Sequence, residues 1–153
     1  MTIQPPIEAL LQHRGSMLLL EEVLDFSDDT ALCRAVPAVA TWYARADGAM
    51  PAWIGIELMA QTIAVHAALL ARRLGKPPRP GVLLGTRAYR ASTAAFTGGQ
   101  PLYVTAHQSY RDEAGLGAYD CTLADEVGQV LATATVTVFE PDDFKTFIHG
   151  EAN

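Results

Sequence analysis

A basic run, a clustered set of cysteines and an uninterrupted apolar stretch of membrane length are all missing from this 153-residue sequence. With 11 Lys and Arg against 17 Asp and Glu, the formal net charge is −6 and the isoelectric point is near 5.1. No concentration of positive charge exists to neutralise phosphates, so neither nucleic acid nor a membrane surface is an expected partner. Cys33 and Cys121 are the only cysteines, and they lie far apart in strand-like segments. That spacing matches neither a metal site nor a disulfide framework, and both read as buried thiols. The opening "MTIQPPIEALLQHRG" has no basic region leading into an apolar one; export is not indicated and a cytoplasmic location is expected. Repeats and low-complexity runs are absent too.

What the chain does have is apolar content, 50% by composition, enough for one domain with a sizeable core. Its densest stretch is "MPAWIGIELMAQTIAVHAALL", residues 50–70. A membrane span needs about 20 apolar residues, and Glu57, Gln61 and His66 interrupt this one. It reads instead as a buried helix from about Trp53 to Leu74, apolar nearly all round and therefore wrapped by other elements. Gly75 stops it, with Arg72 and Arg73 placed against the negative end of the dipole.

Around that helix the pattern is of strands. "PPIEALLQ" reads as a short first helix, and "MLLLEEVLDF" and "ALCRAV" flank the turn residues "SDDT" as a hairpin. Residues 37–52 break all periodicity and form a long connection. After the helix come "VLLGTRAY", "PLYVTAHQSYR", "LGAYDCTLAD" and "QVLATATVTVFE". In the last, Val130, Ala132, Ala134, Val136 and Val138 alternate with Leu131, Thr133, Thr135, Thr137 and Phe139, a period of two with one apolar face. The expectation is an α+β fold, one antiparallel sheet wrapped around one long central helix.

An ionised carboxylate inside an apolar helix is costly unless paired, so Glu57 needs a reason. Two stand open: the positive end of the helix dipole accommodates it, or it is a partly buried acid placed to exchange a proton. Gln61, four residues on, lies directly above it and can hold the carboxyl by a hydrogen bond. His66 does not belong to the same face, because nine residues at about 100° carry it to the opposite side with a rise of roughly 13 Å. It reads as a satisfied buried histidine. His107 shares the Tyr103, Thr105 and Ser109 side of its strand and is taken as solvent-facing, and His149 lies in an unpatterned tail. His13 occupies a helix-to-strand connection that can place a ring at a pocket mouth.

Three segments, "LLQHRGSMLLLEEVLD", "MPAWIGIELMAQ" and "AFTGGQPLYVTAHQSY", resemble the opening, helix start and central strand of the hotdog-fold 3-hydroxyacyl-[acyl-carrier-protein] dehydratases. Pro-Ala-Trp-x-Gly-Ile-Glu and Ala-Val-His-x-Ala-Leu-Leu resemble more closely the dehydratase-like branch associated with aryl polyene biosynthesis. The resemblance implies one hotdog domain over residues 1–153 and dehydration of 3-hydroxyacyl thioesters to trans-2-enoyl thioesters. It implies a substrate carried on the phosphopantetheine of an acyl carrier protein, no cofactor or metal of the chain's own, and pairing into a homodimer or a heterodimer with another hotdog dehydratase. Glu57 takes the family's catalytic acidic position and Gln61 its companion.

The family's catalytic histidine stands in a Gly-His-Phe-Pro-Gly loop seven residues before the Met-Pro pair, and here that position is Tyr43. A phenol is a poor base at neutral pH, so His13 is the preferred base. Backbone N–H groups around Ile54 and Gly55 are expected to stabilise the developing enolate oxygen. Trp53, Ile54, Leu58 and residues of the 82–90 strand are expected to line the tunnel, with Tyr43 at the substrate. Arg14, Arg45 and Arg87 are candidates to meet the carrier protein or the phosphopantetheine phosphate, or are plain solvated charge. Two alternatives stay open: a catalytically weak partner subunit of an active hotdog dehydratase, and a hotdog acyl thioesterase in which Glu57 activates water.

Overall fold

Nineteen residues, Gly55–Arg73, form the central helix α1 in the computed structural model, which describes residues 4–77 and 81–140. The stretch has five alanines and three leucines and contains no proline, which suits a helix. A single 3-10 turn, Ala52–Ile54, leads into it. It ends where Gly75 adopts a left-handed φ of +69° and the Lys76 N–H reaches back to the Ala71 carbonyl at 2.8 Å. With its lead-in the helix is long and apolar enough to cross a membrane by composition, but it is the enclosed core helix of this fold.

The enclosing layer is a six-stranded sheet with every neighbouring pair antiparallel. Its strands are β1 (Glu22–Phe26), β2 (Thr30–Ala35), β4 (Val82–Ala91), β6 (Leu102–Arg111), β7 (Leu116–Ala124) and β8 (Val130–Phe139), in the order β1-β2-β6-β7-β8-β4. The period of two decides which residues meet the helix. Cys33, Val104, Cys121 and Ala134 are buried from successive strands, against Leu58, Met59, Val65 and Leu69 of the helix. Both cysteines are free, and burial pushes each thiol up to about 12. Fully burying a side chain of Leu or Val size contributes about 1.5–3 kcal/mol, so this seam carries much of the stability.

His66 lies in the same seam, fully buried. Its Nε2 faces the carbonyls of Ser27 (3.2 Å) and Asp28 (3.1 Å), which only accept, so that nitrogen carries the proton and Nδ1 accepts from the Tyr119 hydroxyl at 2.8 Å. It is the satisfied core histidine the spacing indicates. His107 is exposed, as its side of β6 requires.

Four details differ from the sequence reading. The first helix is only a 3-10 turn, Ile7–Ala9, after which Leu10 and Leu11 turn inward. The first strand begins at Glu22 rather than Met17, because the Leu19 N–H and the Met17 carbonyl bond to the Gln61 side chain. The 37–52 connection ends in a two-residue strand β3 (Met50–Pro51) that pairs with β5 (Ala95–Phe96). Val130, placed on the apolar face of β8 by alternation, is half exposed because the register with β7 shifts there. His149 and the rest of the tail after Glu140 lie outside the described residues.

Candidate active site

The start of α1 is fixed from the sheet edge. In β4 the register against β8 shifts between Arg87 and Arg90, and Ala88 takes a positive φ of 53°. Such a bulge re-aims the side chain beside it. Tyr89 is thereby set over the helix start, where its hydroxyl donates to the Ala52 carbonyl and leaves no room for a side chain at Gly55. Burial pushes the Tyr89 phenol up. The helix therefore begins on a glycine for steric reasons, two residues before Glu57.

Glu57 stands in the first turn, where the dipole favours a negative charge, and its side chain is 42% exposed. One turn on, Gln61 is 1% exposed and uses both ends of its amide. Its Nε2 donates to Glu57 Oε1 at 3.1 Å and to the Met17 carbonyl at 2.8 Å, and its Oε1 accepts from the Leu19 N–H at 3.0 Å. The carboxyl is thus tied through Gln61 to the segment before β1. That segment also carries His13, whose Nε2 lies 3.5 Å from Glu57 Oε1. His13 Nδ1 is buried with no hydrogen-bond partner.

These three side chains border a cavity of about 310 Å³. Its floor is the face of α1 that continues from Glu57 and Gln61 through Ala60, Ala64, Ala67 and Ala68. That is the i, i+3, i+4, i+7 spacing of one helical face, and the methyl-sized side chains are what leave the space open. Leu10, Leu11, Leu83 and Val138 supply apolar walls. The site is an apolar trough with a carboxyl, an imidazole and an amide among its lining groups.

Sequence reasoning placed Glu57, Gln61 and His13 at the site, and the structure brings these together. It places others elsewhere. Tyr43 is buried in its own loop, where its hydroxyl accepts from the Ala38 N–H at 2.7 Å and its ring stands edge-on to Trp42; it does not line the cavity. Trp53 is 63% exposed, Ile54 packs in the core, and Leu58 turns to the sheet. Gly55 lies under Tyr89, and its N–H is taken by the Ala52 and Trp53 carbonyls of the 3-10 turn. Of the 82–90 strand, Leu83 does reach the cavity. The Arg14 guanidinium is occupied by backbone carbonyls, and Arg45 and Arg87 are exposed. The alanine stripe was missed, although its spacing from Glu57 is visible in the sequence. Among the described residues no group of three or more His, Cys, Asp or Glu is arranged to hold a metal ion.

The ApeP-like family, described as ApeP dehydratase, matches residues 5–149. No curated protein matches the chain in sequence. Among solved structures, the dehydratase heterocomplex ApeI:P from Xenorhabdus doucetiae is similar over 99% of this chain and 100% of that chain, with 28% identity and a TM-score of 0.88. A hypothetical thioesterase with coenzyme A from Streptococcus pneumoniae (14% identity, 78% of this chain and 84% of that one, TM-score 0.60) shares the fold. So does the E. coli PaaI protein of the phenylacetic acid degradation operon (11% identity, 78% and 82% covered, TM-score 0.60). The architecture is the hotdog fold.

Proposed function

Because the chain belongs to the ApeP-like dehydratase family, we propose that it removes water from a 3-hydroxyacyl thioester to give the trans-2-enoyl thioester. The substrate arrives in the cytoplasm on the phosphopantetheine arm of an acyl carrier protein, as in fatty-acid or polyene-type synthesis, and the chain itself uses no cofactor. The observation that carries this reading is the pairing of Glu57 Oε1 with His13 Nε2 at 3.5 Å beside an apolar cavity of about 310 Å³.

The chemistry asks for such a pair. The thioester acidifies the Cα proton, and the hydroxyl leaves from the next carbon, so base and acid must be neighbours. His13 Nε2 takes the Cα proton. Glu57 delivers a proton to the hydroxyl, which departs as water while the Cα–Cβ double bond forms. The proton then passes from His13 to Glu57 across the short gap between them, and the pair is reset with one water lost. Gln61 holds the carboxyl during both transfers. The alanine-floored trough takes the apolar acyl portion, its size at the lower end of ordinary ligand pockets.

A second reading draws on a separate observation. Tyr43 stands where the resembled dehydratases carry their loop histidine, and its hydroxyl is engaged by the Ala38 N–H. In that reading the chain is a catalytically weak subunit that pairs with a complete hotdog dehydratase, as the similarity to a dehydratase heterocomplex would suit. The experiment incubates the purified chain, alone and mixed with a hotdog dehydratase bearing the loop histidine, with a 3-hydroxyacyl carrier protein. Intact-mass spectrometry reads the result. Water loss by the chain alone that disappears in His13→Ala supports the first reading. No loss alone together with a stable mixed dimer supports the second, and release of free acid would point to thioester hydrolysis instead.

A further inference from the structure

Arg14 follows His13 directly, and its guanidinium folds back beneath the segment that carries the ring. Its Nη1 donates to the Leu11 carbonyl at 2.5 Å and to the His13 carbonyl at 2.7 Å, and its Nη2 donates to the Glu8 carbonyl at 2.8 Å. Only two 3-10 turns, Ile7–Ala9 and Gly15–Met17, interrupt the irregular backbone here. No helix or strand therefore fixes the peptide of His13, and a side chain performs the task that backbone pairing performs elsewhere. A planar fork with five donors can serve carbonyls that point in different directions, which a lysine ammonium on a flexible stem does far less well.

On the His13 ring, the nitrogen away from Glu57 has no anchor. A histidine that works in catalysis is commonly oriented by a hydrogen bond at its second nitrogen. His13 Nδ1 is buried and unpartnered, while Nε2 faces Glu57. The orientation of the imidazole therefore falls to its backbone, and three charge-assisted bonds from Arg14 pin that backbone.

We infer that Arg14 is a positioning residue, which holds His13 at the carboxyl of Glu57 by gathering the carbonyls of Glu8, Leu11 and His13. The inference rests on His13 serving as the base. It gives Arg14 a role within its own segment, which uses three of the donors of a guanidinium that is otherwise exposed.

The test has two arms. In the first, the His13 ring resonances are followed by NMR, without substrate, in the parent chain and in Arg14→Ala and Arg14→Lys. Glu57→Gln is expected to shift those resonances in the parent and to shift them by less than about a third as much in either Arg14 variant, since displacement of the order of 1 Å breaks a short contact. Added guanidinium ion restores part of the response in Arg14→Ala. A full response in Arg14→Ala overturns the inference, and Arg14→Lys supplies the same reading should the alanine variant fold poorly.

The second arm measures dehydration in the active form, the chain alone or its mixed dimer. Arg14→Ala is expected to lower kcat by about 10- to 100-fold with KM within twofold, and to cause no further loss in a His13→Ala background. Effects of the two substitutions that multiply would overturn the positioning role. If His13→Ala leaves turnover unchanged, the base assignment is what fails, and the NMR arm still decides whether Arg14 holds the ring.

Discussion

Replacing Gln61 by Leu removes the joint between the central helix and the segment that precedes the first strand. The side chain is 1% exposed, and its amide satisfies the Leu19 N–H at 3.0 Å and the Met17 carbonyl at 2.8 Å. Leucine fills nearly the same space but pairs with neither. A fully buried backbone group left unpaired costs about 1–3 kcal/mol; these two lie in part-buried bonds, so together they give about 2–4 kcal/mol. Part is returned because leucine has no amide to desolvate, so a net loss of about 2 kcal/mol is expected. For a chain of this size that corresponds to a melting temperature lower by about 4–8 °C. Gln61→Glu should cost more at pH 7, because it exchanges a donor for a second carboxylate facing Glu57 and the Met17 carbonyl. Urea denaturation and a thermal melt of both variants give the values. A Gln61→Leu chain within about 1 kcal/mol of the parent would refute the reasoning, since it would mean that both backbone groups find other partners.

Other outcomes follow from the same contacts. Burial holds His66 below the ordinary imidazole range despite the Ser27 carbonyl, so protonation favours the unfolded chain. Its contribution to stability is complete above about pH 6.5 and is lost as pH falls below that value. Urea midpoints measured from pH 7.5 down to pH 5 should fall, and His66→Phe should flatten part of the decline; an identical slope in the variant would contradict the assignment. Cys33 and Cys121, buried and pushed up to about 12, should resist alkylation at pH 8 in the native chain and react fully in denaturant. Rapid labelling of the native protein would show that the seam opens.

The fold was legible in the sequence wherever one residue pattern decided one element. An apolar stretch of helical length gave α1 nearly to the residue, and alternation in β8 gave its buried face from Ala132 to Val136. What failed was decided from a distance. Strands β3 and β5 are two residues each and carry no period to read. The first strand starts late because Gln61, some forty residues onward, takes the hydrogen bonds of Met17 and Leu19. At the site, Glu57 and Gln61 were readable together because i and i+4 share a face. The approach of His13 follows from a tertiary packing that no local spacing encodes. Trp53 sits four residues before Glu57 but belongs to the 3-10 turn, where about three residues make a turn, so its side chain does not follow the phase of α1. Tyr43 was assigned by counting along a loop, and its hydroxyl turned instead to the backbone of that loop.

The Glu57 carboxyl, as proton donor to the leaving hydroxyl, is the centre of the proposed mechanism. The most direct measurement compares Glu57→Gln with the parent chain in its active form, following the enoyl product on the carrier protein by mass spectrometry and the fold by its melting temperature. The amide oxygen that this substitution introduces can still accept from Gln61, so the melting temperature should stay within a few degrees of the parent while enoyl product falls by about 100-fold or more. Product formation within about threefold of the parent would exclude Glu57 as the acid, and with it the mechanism built on its pairing with His13.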